Sequence, residues 1–348
     1  MKLAFQLAYK NLIGAGLRTW LNVGILAFAF IIIIFYYGLL DGWHQQAKND
    51  SIAWEYGHGH LLHPKFDPYD PFTLQDGHGI LEAEKSKNLT PILVRQASIY
   101  PEGRMLSVSL KGLDAEQTLL ELPMQEVGKS KANIPVAIGE QMAKTANLKE
   151  GDEVLLRWRD QNSSFDAANM TVVKIFDTDV PTTDRGQIWL PIKKLWEMTG
   201  LENHATFFVA NENFEAENAK KLSGWAFKSQ DDLLKSINDI IAMEKISTFI
   251  MYLLFLAIAL LAIFDTQVLS VFRRQKEIGT YIALGMTRKQ VVGLFTVEGS
   301  MYSLLAMIVG CIFGIPLFVY LAKTGIAFPE MTQDIGIAMA SRIFPVYG

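Results

Sequence analysis

The sequence predicts an α-helical membrane protein with one large α+β domain inserted between its spans. Three observations carry this. Thr19–Leu40, Ile246–Leu269 and Val291–Ala322 are long runs in which apolar residues dominate. Between the first and second runs, about 200 residues pass without a stretch long enough to cross a bilayer. Half of the 348 residues are hydrophobic while 20% are charged, so apolar and charged residues are sorted into different regions. A net charge of −4 gives no argument for nucleic-acid binding. The lone cysteine, Cys311, rules out a disulfide within the chain.

Residues 1–18 carry only positive charges, Lys2, Lys10 and Arg18. Leu3, Phe5, Leu7, Leu12, Ile13 and Leu17 can line one face of a cytoplasmic amphipathic helix on the membrane surface. Residues 19–41 form the first span, since roughly 22 apolar residues at about 1.5 Å each cross the hydrocarbon core. It reads as an uncleaved anchor, because Tyr36-Tyr37-Gly38-Leu39-Leu40-Asp41 is not a small-x-small cleavage site. The basic flank before it and Asp41 after it place the N-terminus in the cytoplasm.

Residues 42–245 are then expected outside the cytoplasm, as an α+β domain of two lobes. Gly42–Ser51 continues the first helix. Met105–Lys111, Glu153–Trp158, Met170–Phe176 and Ala205–Ala210 alternate as half-buried strands do. Gly139–Leu148 and Leu190–Thr199 read as helices, and Ser229–Lys245 has helical spacing that leads into the next span. Residues 246–271 form the second span, with Asp265 its one charge. Arg273, Arg274 and Lys276 follow at once, so this end is cytoplasmic. Residues 272–290 are a short amphipathic and basic island. Residues 291–322 form a third span, interrupted by Glu298 and flexed by Gly310, Gly314 and Pro316. Residues 323–348 are too polar to cross and are assigned outside.

His58, His60 and His63 form H-x-H-x-x-H, a weak candidate for a metal site. On a strand His58 and His60 face one way and His63 the other, so surface or structural histidines are the simpler expectation. Asp265 is expected to hydrogen-bond between packed helices. Glu298 either pairs with Arg273 or Arg274 or marks the membrane boundary, and the sequence leaves both open. There is no G-x-x-x-x-G-K-[ST], no G-x-S-x-G and no H-E-x-x-H. Any ATP-driven work therefore requires another subunit.

Arg274-Gln275-Lys276-Glu277-Ile278-Gly279, Ala283-Leu284-Gly285-Met286-Thr287-Arg288-Lys289-Gln290 and Glu298-Gly299 closely resemble the signature of FtsX/MacB/LolC-type ABC transporter permeases. Ile282 stands where the family commonly has Arg. Ala8-Tyr9-Lys10-Asn11-Leu12, Gly57-His58-Gly59-His60-Leu61, Lys111-Gly112-Leu113-Asp114, Ile138–Ala143 and Leu148–Asp152 resemble further family elements, the last four those of a LolC/LolE-like external domain. The resemblance implies a MacB/LolC-like fold in a multi-pass protein of the bacterial cytoplasmic (inner) membrane, with its large domain in the periplasm. The family's four-span pattern implies that residues 323–348 lead to a fourth helix, missing from this sequence.

The resemblance also implies a transmembrane subunit that transmits force and is not itself an enzyme. Its expected partners are a dimer of ATP-binding cassette subunits, a second permease copy or a homologous permease, and a lipid, lipoprotein or periplasmic protein. ATP and Mg²⁺ are used by the partner subunit, and this chain needs no cofactor. Arg274, Lys276, Glu277, Ile278, Gly279, Leu284, Gly285, Met286 and Thr287 are the expected ATPase-coupling residues. Phe30, Ile34, Met251 and Phe255 are candidate substrate contacts. Lipoprotein release is the favoured role. The alternatives are an FtsX-like regulator of cell-wall hydrolases, a MacB-like exporter of peptides or small molecules, and, from a different class, a membrane-anchored sensory module using the three histidines.

Overall fold

The computed structural model describes residues 17–82, 87–214, 217, 222, 224–327 and 342–347. Most of the surface helix expected over residues 1–18, and most of the segment after Ala327, lie outside the described residues. The chain forms two compact units. One holds the residues up to His44, Ile240–Ala327 and the residues from Arg342, and the other is mainly Gln45–Asp239.

The first helix, α1, runs Leu17–Ser51 and passes into a π-helical turn at Ile52–Tyr56. The second unit is then built from β1 (Gly59–Leu62), β2 (Gly79–Ile80), β3 (Leu89–Ile99), β4 (Leu106–Leu113), α2 (Met124–Lys129), β5 (Pro135–Gly139), α3 (Glu140–Ala146), β6 (Glu153–Arg159), β7 (Phe165–Phe176), α4 (Pro181–Asp184), β8 (Gln187–Pro191), α5 (Ile192–Thr199), β9 (His204–Ala205), β10 (Phe207–Ala210), β11 (Ala226–Ser229) and α6 (Gln230–Leu233). Among the described residues nine strands form one sheet, in the order β11-β1-β10-β3-β4-β8-β5-β7-β6. β6 also pairs with β3 through Ala97↔Trp158, so the strands from β3 to β6 close into a barrel. The first half of β3 instead pairs with β10 and carries the three-stranded extension.

The barrel interior holds Leu93, Ile99, Leu110, Ile138, Leu156, Met170 and Ile188, all fully buried or nearly so. A second cluster, including Val94, Leu113, Met124, Trp189 and Phe207, packs on the other side of the wall. Alternation along β6 follows directly, with every second residue buried. β3 was not expected as a strand. It is buried along most of both faces, so its sequence lacks the period-2 signal. Two expected helices begin later than the sequence suggested. Leu190 belongs to β8, and Pro191 caps α5. Gly139 ends β5 and caps α3.

That cap explains the Ile138–Ala143 motif. The Asp184 carboxylate accepts from the backbone N–H groups of Gln141 (3.1 Å) and Met142 (3.2 Å), which satisfies donors that an unfinished helix end leaves open. A Cβ on Gly139 would lie 1.9 Å from Asp184 Oδ1, so the position admits only glycine. Burial raises the Asp184 carboxyl above its ordinary range, against the pull of those two N–H groups. Gly112 is constrained in the same way, since a Cβ there would meet Leu195 Cδ2 at 2.9 Å.

The first unit contains α1 up to His44, α7 (Lys235–Arg273) from Ile240 onward, α8 (Gln275–Ala283) and α9 (Arg288–Thr324); the start of α7 belongs to the second unit. Among the described residues three helices, α1, α7 and α9, are long and apolar enough to cross a membrane. They meet through Val23, Leu26 and Ala27 of α1, Ala259 and Ile263 of α7, and Tyr302 and Ala306 of α9. A Cβ on Gly314 would stand 3.3 Å from Ile31 Cγ1, so α9 approaches α1 closely there, and one on Gly310 would make ordinary contact with the Ala27 carbonyl. On α1, Gly38 and Gly42 present a flat strip on which residues 344–347 lie, with Val346 N–H donating to Gly38 O at 2.9 Å. Asp265 is exposed on α7 rather than clasped between packed helices, contrary to expectation. The helices of this unit cover too little of α7 to enclose it.

Candidate functional site

The site is the stretch that joins α7 to α9. Its backbone is punctuated by local chemistry. Arg274 leaves helical geometry (φ −104°, ψ 21°), so α7 ends at Arg273 and α8 starts at Gln275, while Arg274 N–H still donates to Ser270 O and Arg274 O accepts from Ile278 N–H. The amphipathic island over residues 272–290 is thus not one helix with the second span: a joint at Arg274 separates α8 from α7. α8 ends at Ala283, and Gly285 follows with φ +94°, a left-handed conformation that favours glycine. The chain closes there through Gly285 N–H to Ile282 O and Met286 N–H to Tyr281 O, each 3.0 Å. Thr287 then caps α9 in a reciprocal box: its Oγ1 accepts from Gln290 N–H at 3.4 Å, and its own N–H donates to Gln290 Oε1 at 2.9 Å.

One guanidinium ties the joint together. Arg274 Nε donates to Glu277 Oε2 on α8 at 2.8 Å, and an Arg274 terminal nitrogen donates to Glu298 Oε2 on α9 at 3.0 Å. Its carbon also lies 5.4 Å from the Phe295 ring centre. The open question of Glu298 is answered: it pairs with Arg274, and it is 3% exposed. A charge so buried is tolerable only when paired and hydrogen-bonded, which makes this contact structurally demanding.

The other expected coupling residues face outward. Lys276, Gly279, Leu284 and Thr287 are exposed, and Ile278 and Met286 are half-buried. Leu284 is 79% exposed and Ile282 49%, flanked by the exposed cations Lys276, Arg288 and Lys289. Nothing lies within 4 Å of a Cβ built on Gly279 or Gly285. The surface is thus apolar at its centre, basic at its edge and bare.

These features coincide with a recognised domain. Residues 249–344 match the family described as FtsX-like permease C-terminal. This part of the chain is similar to the C-terminal domain of FtsX-like permeases. Among the described residues the helices long and apolar enough to cross a membrane, α7 and α9, carry most of this match, and α1 is a third such helix. The chain also aligns with the crystal structure of the extracellular domain of the noncanonic ABC-type transporter YknZ from Gram-positive bacteria. That alignment has 14% identity, covers 52% of this chain and 94% of the other, and has a TM-score of 0.26, too low to carry any argument. No curated protein matches the sequence.

The remaining candidates do not assemble. Phe30 and Ile34 are exposed on α1, at 39% and 47%, and Met251 and Phe255 are half-buried on α7. His58, His60 and His63 are dispersed. His58 is exposed, His63 meets the Trp225 ring, and His60 is buried against Phe207 with Nε2 bonded to Glu55 O at 3.0 Å. Burial pushes the His60 imidazole down to about 4. Among the described residues no group of three His, Cys, Asp or Glu side chains could hold a metal ion, so the triple-histidine site is withdrawn. A different pair does meet: His78 Nδ1 and His204 Nδ1 are 2.9 Å apart, one donating and the other accepting. Their spacing of 126 residues hid the pair from sequence reading.

Proposed function

We propose that the chain is the membrane-spanning permease subunit of an ABC transporter, gripped at α8 and the Gly285 turn by a separate ATP-binding subunit. The observation that carries this reading is the bare surface around Gly279. A mid-helix glycine costs about 1 kcal/mol relative to alanine. No other part of this chain packs on Gly279 or fills the space beside it. The room left there suits the close approach of a second chain, and Leu284 beside it supplies an apolar anchor. Arg274 joins the gripped helix to α7 and α9 at once, so a push on α8 is felt by both spans.

In this reading the partner subunit binds ATP and Mg²⁺ and supplies the work. Two permease copies, or this chain with a homologous one, complete a multi-pass assembly in the inner membrane with the barrel domain in the periplasm. Its closing and opening act on a substrate outside the bilayer by mechanotransmission. Lipoprotein release is the favoured task, with Phe30, Ile34, Met251 and Phe255 as apolar contacts for acyl chains. Regulation of cell-wall hydrolases and efflux of peptides fit the same FtsX-like domain.

Two experiments test this. A photo-crosslinking amino acid at Leu284, irradiated in native membranes, is expected to capture a protein carrying a nucleotide-binding P-loop. Capture of lipid alone would contradict the docking surface. The purified complex, reconstituted with an acylated lipoprotein, is expected to release it when ATP is hydrolysed. ATP hydrolysis without release would remove the lipoprotein assignment while leaving the permease reading intact.

A further inference from the structure

The second unit contains a cavity of about 920 Å³ between the outer wall of the barrel, the loop over residues 66–74 and the start of α7. Its apolar lining comes from Tyr56, Leu62, Phe66, Val94 and Phe207. On the wall of the same cavity stands Lys111, on β4, whose residue surface is only 9% exposed. Among the described residues its ammonium makes no ion pair or hydrogen bond. It lies 4.9 Å over the Trp189 ring. Glu55 is the acidic group that acts on it, but the Glu55 carboxylate accepts from the Thr182 hydroxyl and stands beyond ion-pair distance.

A buried ammonium has three donors and a large desolvation penalty. The face of one indole offsets part of that penalty and satisfies none of the donors. Burial accordingly lowers the Lys111 amine from its ordinary range. The mouth of the cavity does not select for charge. Exposed Asp67, Asp70, Asp232 and Asp239 share it with exposed Lys228 and Lys235. Inside, the lining is mixed: Glu55, held by Thr182, and Arg185 share it with Lys111, and Lys111 stands beside the apolar side chains of Leu62, Val94 and Phe207 as a cation without an ion pair among the described residues. A chamber of this size, with an apolar patch and a convergent cation, can hold a small molecule.

We propose that this cavity binds an organic monocarboxylate with an apolar body, its carboxylate on Lys111 Nζ and its body against Phe66, Leu62 and Phe207. The proposal concerns the second unit alone and does not depend on the transport reading. It places a ligand site in a part of the chain where neither the motifs nor the family match marks one.

The test uses the full chain in phosphatidylcholine nanodiscs, titrated with 11-bromoundecanoate while tryptophan fluorescence is recorded. Bromine quenches nearby indoles, and Trp189 is adjacent to Lys111. The expected result is a saturable quenching component that Trp189→Phe removes. Its affinity falls at least tenfold in Lys111→Met, or when 11-bromoundecanol replaces the acid. Lys111→Met removes an unpaired buried charge, so its melting temperature should equal or exceed that of the parent, which keeps misfolding from explaining the loss. Phe66→Ala, which leaves the amine in place, should also weaken binding. Equal affinity for the acid and the alcohol, or undiminished affinity in Lys111→Met, would overturn the assignment. So would quenching that never saturates.

Discussion

Gly139 and Gly112 of the barrel unit and Gly279 and Gly285 of the α7–α9 joint all lie in motifs and differ in what surrounds them. Gly139 and Gly112 have no space for a Cβ: Asp184 Oδ1 would stand at 1.9 Å from one and Leu195 Cδ2 at 2.9 Å from the other. Gly279 and Gly285 have nothing within 4 Å. At Gly139 and Gly112, then, the chain's own packing explains the motif residue, whereas Gly151 of the same unit is open and owes its glycine to a φ of +95°. In the joint the motif glycines are left unexplained by that packing, except for the left-handed turn at Gly285. Gly139 and Gly112 serve the fold; the partner proposed above would account for Gly279, which the chain's own packing does not.

The comparison breaks first at Gly139. Gly139→Ala should destabilise the barrel by about 4 kcal/mol, from overpacking plus the lost cap on α3. Thermal unfolding of the purified chain checks this, and a change below about 1 kcal/mol would mean that Asp184 swings away at little cost. Acid provides the second probe. His60 is held neutral down to about pH 4 in the folded barrel, whereas the unfolded chain takes up its proton near 6.5. The unfolded state therefore binds more protons between these values, and stability should fall as pH drops from 6.5 toward 4, by about 3 kcal/mol in total. His78, also lowered to about 4, adds in the same direction. His60→Gln should flatten the dependence measured by denaturant midpoint against pH.

On the joint the expected effects on stability are smaller. Glu298→Gln should cost about 2 kcal/mol, because Arg274 loses a buried carboxylate but keeps Glu277. Gly285→Ala should cost about 1 kcal/mol, from the positive φ alone. A melting shift for Gly285→Ala as large as that for Gly139→Ala would erase the distinction between the regions.

Sequence patterning exposed the long helices and β6, because a span and a half-buried strand each bury one kind of residue at a fixed period. β3 stayed hidden because it serves the barrel and the extension at once and is covered on both sides. The Gly285 turn and the Thr287–Gln290 cap are local chemistry, yet they emerged only with the structure, because their residues stood out first as parts of a family motif. The break at Arg274 was not readable either, since a guanidinium bridging Glu277 and Glu298 joins residues 24 apart in the chain on its longer arm. Lys111 was part of a motif, yet nothing in Lys111-Gly112-Leu113-Asp114 shows that its amine ends in a cavity. That follows from Phe66 and Phe207, which only the fold brings near.

Gly279 decides the central claim. Gly279→Leu adds a side chain where this chain has open space, so the folded protein should melt within about 1 kcal/mol of the parent. The same variant should fail to retain the ATP-binding subunit through purification from native membranes and should lose ATP-driven transport. A Gly279→Leu protein that melts normally, keeps its ATPase and transports at the parent rate would contradict the account, because the surface around α8 would then face only water.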